Sequence, residues 1–133
     1  MDPLVAMDIS TSGLTAYREE MDVVASNIAN MDSTVTPQGG AYQAQQVVLE
    51  AGPSFAATLQ GAYAAQGVEV SAIVPEQTAV TSQTGTGTQS ANVDLVQQMS
   101  DLIQASRAYD ANASAFDLEK SVETRALQLG QNA

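Results

Sequence analysis

The residue types that carry out most protein chemistry are scarce in this 133-residue sequence. It contains no Cys and no His, which removes thiol nucleophiles, imidazole bases and the usual ligand sets of a zinc site. A serine paired with Lys120 could supply a nucleophile and a base. Lys120, however, lies on a predicted helix among ordinary neighbours, so we interpret it as a solvated lysine.

The remaining patterns that could bind or activate a ligand are equally weak. Glu19 and Glu20 are adjacent carboxylates on a predicted exposed face, not a convergent acid–base pair. The "TGTGT" stretch at 84–88 lacks the lysine and the preceding apolar strand of a phosphate loop, and "MDST" at 31–34 indicates a turn instead of a calcium loop. We therefore predict that the chain is not an enzyme and has no catalytic, cofactor-binding or metal site.

The sequence is strongly acidic. Fifteen Asp and Glu residues stand against four basic ones, for a net charge of −11. Such a chain cannot line a groove for nucleic-acid phosphates, and an anionic membrane repels it. No stretch approaches the roughly 20 apolar residues of a membrane span, so we predict neither nucleic-acid binding nor direct membrane insertion. The basic residues are Arg18, Arg107, Lys120 and Arg125.

Material for a hydrophobic core is limited. Leu, Ile, Val and Phe account for 28 of 133 residues and Trp is absent, which is close to the ~20% level below which chains tend toward disorder. We therefore expect part of the chain to become ordered only against partner molecules.

An N-terminal helix is predicted over residues 1–31. Pro3 suits the first helical position, where a missing N–H costs nothing, and Asn30 suits the left-handed end of a helix. Gly13 is a weak point, because glycine costs about 1 kcal/mol relative to alanine inside a helix. Apolar residues recur at spacings of three and four, as on a helix that packs along one stripe. They are Leu14, Tyr17, Met21, Val24 and Ile28.

The middle of the chain has a different pattern. The stretches at 41–50 and 67–74 are rich in β-branched residues and lie between glycines, so we predict a small β or irregular region over 32–80. Residues 81–91 are Gly, Ser, Thr, Gln and a final Ala, a composition typical of a flexible linker.

Residues 92–133 are predicted to be a C-terminal assembly domain made of one long helix over about 92–129, with Asn92 as its N-cap and Gly130 as its stop. The intervening residues include no Gly or Pro. One apolar stripe consists of Leu95, Met99, Leu102, Tyr109 and Phe116, and a nearly opposite second stripe consists of Ala111, Ala115, Leu118, Val122 and Leu129.

Two opposed stripes on one helix need two partners. One stripe could pack on the N-terminal helix of the same chain. We therefore predict a mainly α fold whose long N- and C-terminal helices pair as a coiled coil, with a small irregular β element between them. The second stripe favours another protein molecule as its partner. The alternative is that its alanines are simply good helix formers on a solvated surface.

Both ends of the chain resemble a known family. "SGLTAYREEMDVVASNIANMDST" at 12–34 resembles the N-terminal signature of bacterial flagellar axial proteins, in which Leu14, Asn27, Ala29 and Asn30 match. "ANVDLVQQMSDLIQASRAYDAN" at 91–112 resembles their C-terminal signature, through its "VDLV" entry and its "SRAYDAN" core. The chain is most similar to the short proximal-rod members of the flagellar basal-body rod protein family.

The resemblance implies a structural subunit of the flagellar basal-body rod that polymerises through its terminal helices into the proximal part of the drive shaft. The implied partners are other rod subunits, further copies of itself and, during secretion, the flagellar type III export apparatus. The implied location is the periplasmic rod. The N-terminus lacks the basic and apolar regions of a cleaved signal peptide, which fits such export. An acidic helical adaptor or export chaperone that binds one partner is the alternative.

We expect the residues of both stripes and signatures to form the assembly interface. Asn27, Asn30 and Asn112 are expected to make side-chain hydrogen bonds at crowded helix ends or between subunits; for Asn30, a helix C-cap is an equally good interpretation. The candidate interface residues are Leu14, Tyr17, Met21, Val24, Asn27, Ile28, Asn30, Leu95, Met99, Leu102, Arg107, Tyr109, Asn112, Phe116, Leu118 and Val122.

Overall fold

The computed structural model describes residues 3–33, 42–52, 67–76 and 93–131. The described elements are helix α1 (Pro3–Ala29), strands β1 (Gln45–Ala51) and β2 (Val68–Pro75), and helix α2 (Leu95–Gln131). The predicted mainly α fold with a small β element is confirmed. The predicted linker at 81–91 lies outside the described residues.

Helix α1 begins at Pro3 and runs without interruption through Gly13 to Ala29. Its C-terminal end is closed by Asn30, whose Nδ2 donates to the carbonyl oxygen of Ser26 at 2.8 Å. The backbone N–H of Asn30 also donates to the carbonyl oxygen of Ser26, at 3.1 Å. Asn30 thus supplies the C-cap function that the sequence left open.

The N-terminal cap of α2 is Asp94. Its Oδ1 accepts hydrogen bonds from the backbone N–H groups of Val96, at 2.9 Å, and Gln97, at 3.3 Å. These are N–H groups that a helix start leaves without partners. Asn92, the expected cap, lies outside the described residues. The expected stop at Gly130 is wrong, because α2 continues to Gln131.

Strands β1 and β2 form an antiparallel pair whose register runs from Gln45 opposite Pro75 to Ala51 opposite Val68. An irregularity between Val48 and Leu49 shifts the register by one residue, as at a β-bulge. The sheet packs against α1.

The two helices pack against each other in antiparallel orientation: the start of α1 lies beside the far part of α2, where Ser10 meets Glu119, and its end lies beside Gln98. The predicted pairing of the terminal helices is confirmed. Buried apolar side chains are few and small, as the composition indicated. Those of the described residues are Ala16, Val23, Val24, Ala44 and Ala105.

Within the described residues, neither helix has the length and apolar character needed to cross a membrane.

Candidate assembly interface

Asn27 is the most completely bonded side chain of the helix pair, and it is 0% exposed. Its Nδ2 donates to the backbone oxygen of Gln45 at 2.7 Å and to Oε1 of Gln98 at 2.8 Å. Its Oδ1 accepts from the hydroxyl of Tyr42 and from the backbone N–H of Gln45, each at 2.9 Å. One buried amide therefore connects α1, the entry to β1, and α2.

These four bonds use both donors and both lone pairs of the Asn27 amide. Within the described residues, no buried side-chain N or O atom lacks a partner. A buried polar network stabilises a unique arrangement when it is fully satisfied and is costly when it is not. Asn27 thus acts within the subunit, where it holds the β element against the helix pair.

Asn112 lies at a close contact between the two helices. Its Nδ2 donates to the carbonyl oxygen of Ala108 at 2.8 Å, and its amide fills the space above Gly13. A Cβ built on Gly13 would lie 2.7 Å from Oδ1 of Asn112, closer than side chains tolerate. The glycine that weakens α1 in isolation is therefore what allows α2 to approach.

A second close approach joins α1 to the sheet. The Ser12 hydroxyl accepts from the backbone N–H of Val68 at 3.0 Å and donates to the carbonyl of Ile9 at 2.7 Å. A Cβ on Gly67 would lie 2.5 Å from the Ser12 oxygen. The start of β2 is therefore fixed on α1 by one hydroxyl and one glycine.

The seam between the helices is lined by small and polar residues that the apolar pattern missed. Ser10, Gln98 and Ala105 are at most 5% exposed, and Ser10 donates to Oε2 of Glu119 at 3.2 Å. The signal for this face was the recurrence of small residues at Ser10, Gly13 and Ala16, three apart, which permits close helix packing.

Most of the predicted stripe lies beside the seam instead of inside it. Val24 is buried, while the others on α1 are half-buried: Leu14, Tyr17, Met21 and Ile28. On α2, the half-buried candidates are Leu102, Tyr109, Asn112 and Phe116, and the exposed candidates are Leu95, Met99, Arg107, Leu118 and Val122. The structure thus brings Asn27, Asn112 and Val24 together at the helix contact. Many of the other predicted interface residues remain accessible on the surface.

Large apolar side chains are abundant on the solvent side of α2. Met99 is 52% exposed and Leu118 is 66% exposed. Val96 and Ile103 belong to the same exposed surface as Met99, a continuation at helical spacing that the sequence stripes omitted. The full set on α2 is Leu95, Val96, Met99, Ile103, Leu118, Val122, Leu127 and Leu129.

Like charges meet at one point of the seam. Burial between the helices raises the pKa of the Glu20 carboxyl above its ordinary value, and the nearby Asp101 carboxylate adds to the increase. Both residues line a cleft of about 200 Å³ together with Gln98 and Glu76. Within the described residues, no group of acidic side chains has an arrangement that could hold a metal ion.

The four basic side chains are exposed. None of them makes an ion pair or hydrogen bond within the described part of the chain, although the chain has fifteen acidic residues. Among the described residues, no acidic side chain neutralises these charges by an ion pair.

Two family models match the two ends of the chain. The model described as "Flagella basal body rod protein" matches residues 7–38, and the model described as "Flagellar basal body rod FlgEFG protein C-terminal" matches residues 88–129. Most of the first match falls on α1 and the second contains nearly all of α2, the two helices that form the seam.

The chain is also similar to curated proteins along nearly its whole length. It is 35% identical over 127 residues to "Flagellar basal-body rod protein FlgC" of Escherichia coli O6:H1, covering 93% of this chain and 95% of the relative. It is 34% identical over 145 residues to the protein of that name from Bacillus subtilis, covering 95% and 97%. For the Borreliella burgdorferi protein of that name, the identity is 31% over 147 residues, covering 95% and 96%.

These matches span both helices, the sheet and the segments between them, at identities that indicate common descent. The chain belongs to the FlgC family of flagellar basal-body rod proteins and is a structural subunit of the rod.

Proposed function

We propose that the chain polymerises through the exposed faces of α1 and α2 into the proximal part of the rod, and that its role is structural instead of catalytic. The observation that carries this proposal is the distribution of apolar side chains. The helix pair is closed by alanines, valines, a glycine and buried amides, whereas eight large apolar residues of α2 remain exposed.

Such a surface is costly for a protein that stays monomeric. Burying a Leu-sized side chain is worth about 1.5–3 kcal/mol, and large exposed apolar patches are typical of interaction sites. Neighbouring rod subunits, including further copies of this chain, are the partners that the family membership supports. The same membership supports passage through the flagellar export apparatus without a cleaved signal peptide, followed by assembly in the periplasm.

A substitution of Met99 tests the assembly surface. Met99 is 52% exposed, so Met99→Asp should leave the helix pair intact while placing a charge in the subunit contact. We expect the variant to be made and exported but absent from purified basal bodies, with loss of motility. Met99→Leu keeps an apolar side chain of similar volume and should assemble normally.

The readout is the amount of each variant in basal bodies relative to the amount secreted. Normal motility and normal incorporation of Met99→Asp, together with the same result for Leu102→Asp, would contradict assembly through this surface. Recovery of the wild-type chain only from the soluble fraction would favour the adaptor or chaperone interpretation.

A further inference from the structure

The outward surface of α2 carries an unusual charge pattern for so acidic a chain. Nine residues at spacings of three and four are all exposed, and we call them the α2 outer face: Ser100, Gln104, Arg107, Ala111, Ser114, Leu118, Val122, Arg125 and Leu129. This face contains no acid. Its only charges are Arg107 and Arg125, at either side of the apolar centre formed by Leu118 and Val122.

A matching surface lies on α1. Seven of its residues recur at the same helical spacing and are all exposed, and we call them the α1 outer face: Asp8, Thr11, Thr15, Arg18, Asp22, Ala25 and Ala29. Two carboxylates, Asp8 and Asp22, lie towards its two ends. An open groove of about 510 Å³ between α1 and the sheet is lined in part by Thr15, Arg18 and Asp22, so part of this face is concave and accessible.

We propose that the α2 outer face of one copy docks on the α1 outer face of the next copy, in a head-to-tail contact that rests on the proposed rod function. Arg107 then pairs with Asp22 of the neighbouring copy, and Arg125 pairs with Asp8 of the neighbouring copy. Among the described residues of its own chain, none of these four side chains makes a hydrogen bond or an ion pair.

The spacing of the charges supports this register. Because α1 and α2 are antiparallel within a copy, neighbours of the same orientation also bring α2 and α1 together antiparallel. At 1.5 Å per residue, Arg107 and Arg125 are about 27 Å apart along the helix, and Asp22 and Asp8 are about 21 Å apart. Long arginine side chains absorb a difference of this size.

The side chains between the charges are also complementary in this register. Leu118 and Val122 of one copy lie opposite the region of Thr11 and Thr15 in the next copy. Arg18 of that next copy lies opposite the small residues Ala111 and Ser114. A symmetric contact between two α2 outer faces would instead place arginine opposite arginine, which is unfavourable. A head-to-tail contact closes into a ring or extends as a helix of subunits, as a tubular rod requires.

Cysteine cross-linking tests the predicted contact in the assembled rod. The chain has no Cys, so a single introduced cysteine is the only thiol of each variant chain. Cells expressing differently tagged Ser114→Cys and Thr15→Cys chains should give a mixed disulfide dimer in purified basal bodies. Ala25→Cys lies on the same face but about 15 Å away along α1, and it should not cross-link to Ser114→Cys.

A charge exchange tests the electrostatic part of the contact. Arg107→Asp should weaken self-association in sedimentation experiments by about fivefold or more, since exposed ion pairs contribute modestly and reversal adds repulsion. Arg107→Asp combined with Asp22→Arg in one chain should restore it, at the net charge of the wild type. Lys120→Asp changes the net charge equally but lies off the α2 outer face, so it should have little effect.

Three results would overturn the proposal. The first is an equal loss of association for Arg107→Asp and Lys120→Asp. The second is failure of Arg107→Asp with Asp22→Arg to restore association. The third is a Ser114→Cys adduct with a rod protein of another mass instead of with a second copy. Each of these leaves the rod function intact. Absence of the wild-type chain from basal bodies would instead contradict the rod function itself.

Discussion

Gly13 and Asn112 form a close contact between the two helices: a Cβ at position 13 would lie 2.7 Å from the Asn112 Oδ1 and 2.8 Å from its Cγ. The Asn112 amide is held in place by its hydrogen bond to the carbonyl of Ala108 at 2.8 Å. The glycine is therefore a packing requirement of the pair, whatever it costs the isolated helix.

Replacement of Gly13 should separate packing from helix propensity. Alanine usually stabilises a helix by about 1 kcal/mol relative to glycine, but Gly13→Ala must displace the Asn112 amide and should lower the free energy of unfolding by about 1–3 kcal/mol. Gly130→Ala is the matched control, because a Cβ there meets nothing within 4 Å, and it should be neutral or stabilising. Urea unfolding followed by circular dichroism measures both, and equal stabilisation by the two variants would contradict the close contact.

Truncation of Asn27 should loosen three elements at once. Asn27→Ala leaves Gln98, Tyr42 and the backbone of Gln45 without their partner in a buried site, which should cost about 2–4 kcal/mol of unfolding free energy. Asn30→Ala removes a bond that stays within its own helix and should cost about 1 kcal/mol or less.

Amide hydrogen exchange distinguishes the role of Asn27 from general destabilisation. Asn27→Ala should speed exchange in β1 more than in the middle of α2, because the amide bonds both backbone groups of Gln45. Unchanged protection of β1 would contradict its role as the link between the sheet and the helices.

The stability of the helix pair should depend on the ionisation of Glu20. The folded-state pKa of Glu20 is raised above the ordinary value of 4.5, so the folded state favours the protonated carboxyl. The stability that this carboxyl contributes is fully present below pH 4.5 and is lost as the pH rises through the folded-state pKa. Glu20→Gln should therefore raise Tm at pH 7 and leave it nearly unchanged at pH 4. Asp22→Asn, on the exposed side of the same helix, controls for the change in net charge; an equal effect of both variants would point to net charge alone.

The far end of α2 should fray in the dilute subunit. All side chains from Thr124 to Gly130 are exposed, and in the antiparallel pair these turns extend beyond the start of α1. End turns whose apolar side chains stay exposed gain little from packing, so a helix frays there. Circular dichroism of the verified monomer should therefore show fewer helical residues than the 27 of α1 and the 37 of α2 together.

That helical content should rise when neighbouring rod subunits are added. Full helical content with a sharp thermal transition in the monomer, and slow amide exchange at residues 124–130, would contradict this prediction.

The sequence by itself determined the local elements of this protein. Periodic apolar residues between Pro3 and Asn30, and an uninterrupted run before Gly130, predicted two long helices, and the β-branched stretches predicted the strands, because these patterns depend on neighbours within a few residues. The signatures at both ends also indicated the family. The exact helix boundaries were harder to predict, because Asn92 and Asp94 are both suitable N-cap residues and lie only two positions apart.

Only the tertiary structure decided which residues form the seam. Periodicity favours the largest apolar side chains, Leu14, Tyr17 and Met21, which are only half-buried. The small residues Gly13 and Ala16 are buried instead, because a small side chain lets the facing helix pack close to the backbone. The partners of Asn27 lie 15, 18 and 71 residues away in the sequence. No local pattern encodes such a bond, because it exists only once α1, β1 and α2 are packed together.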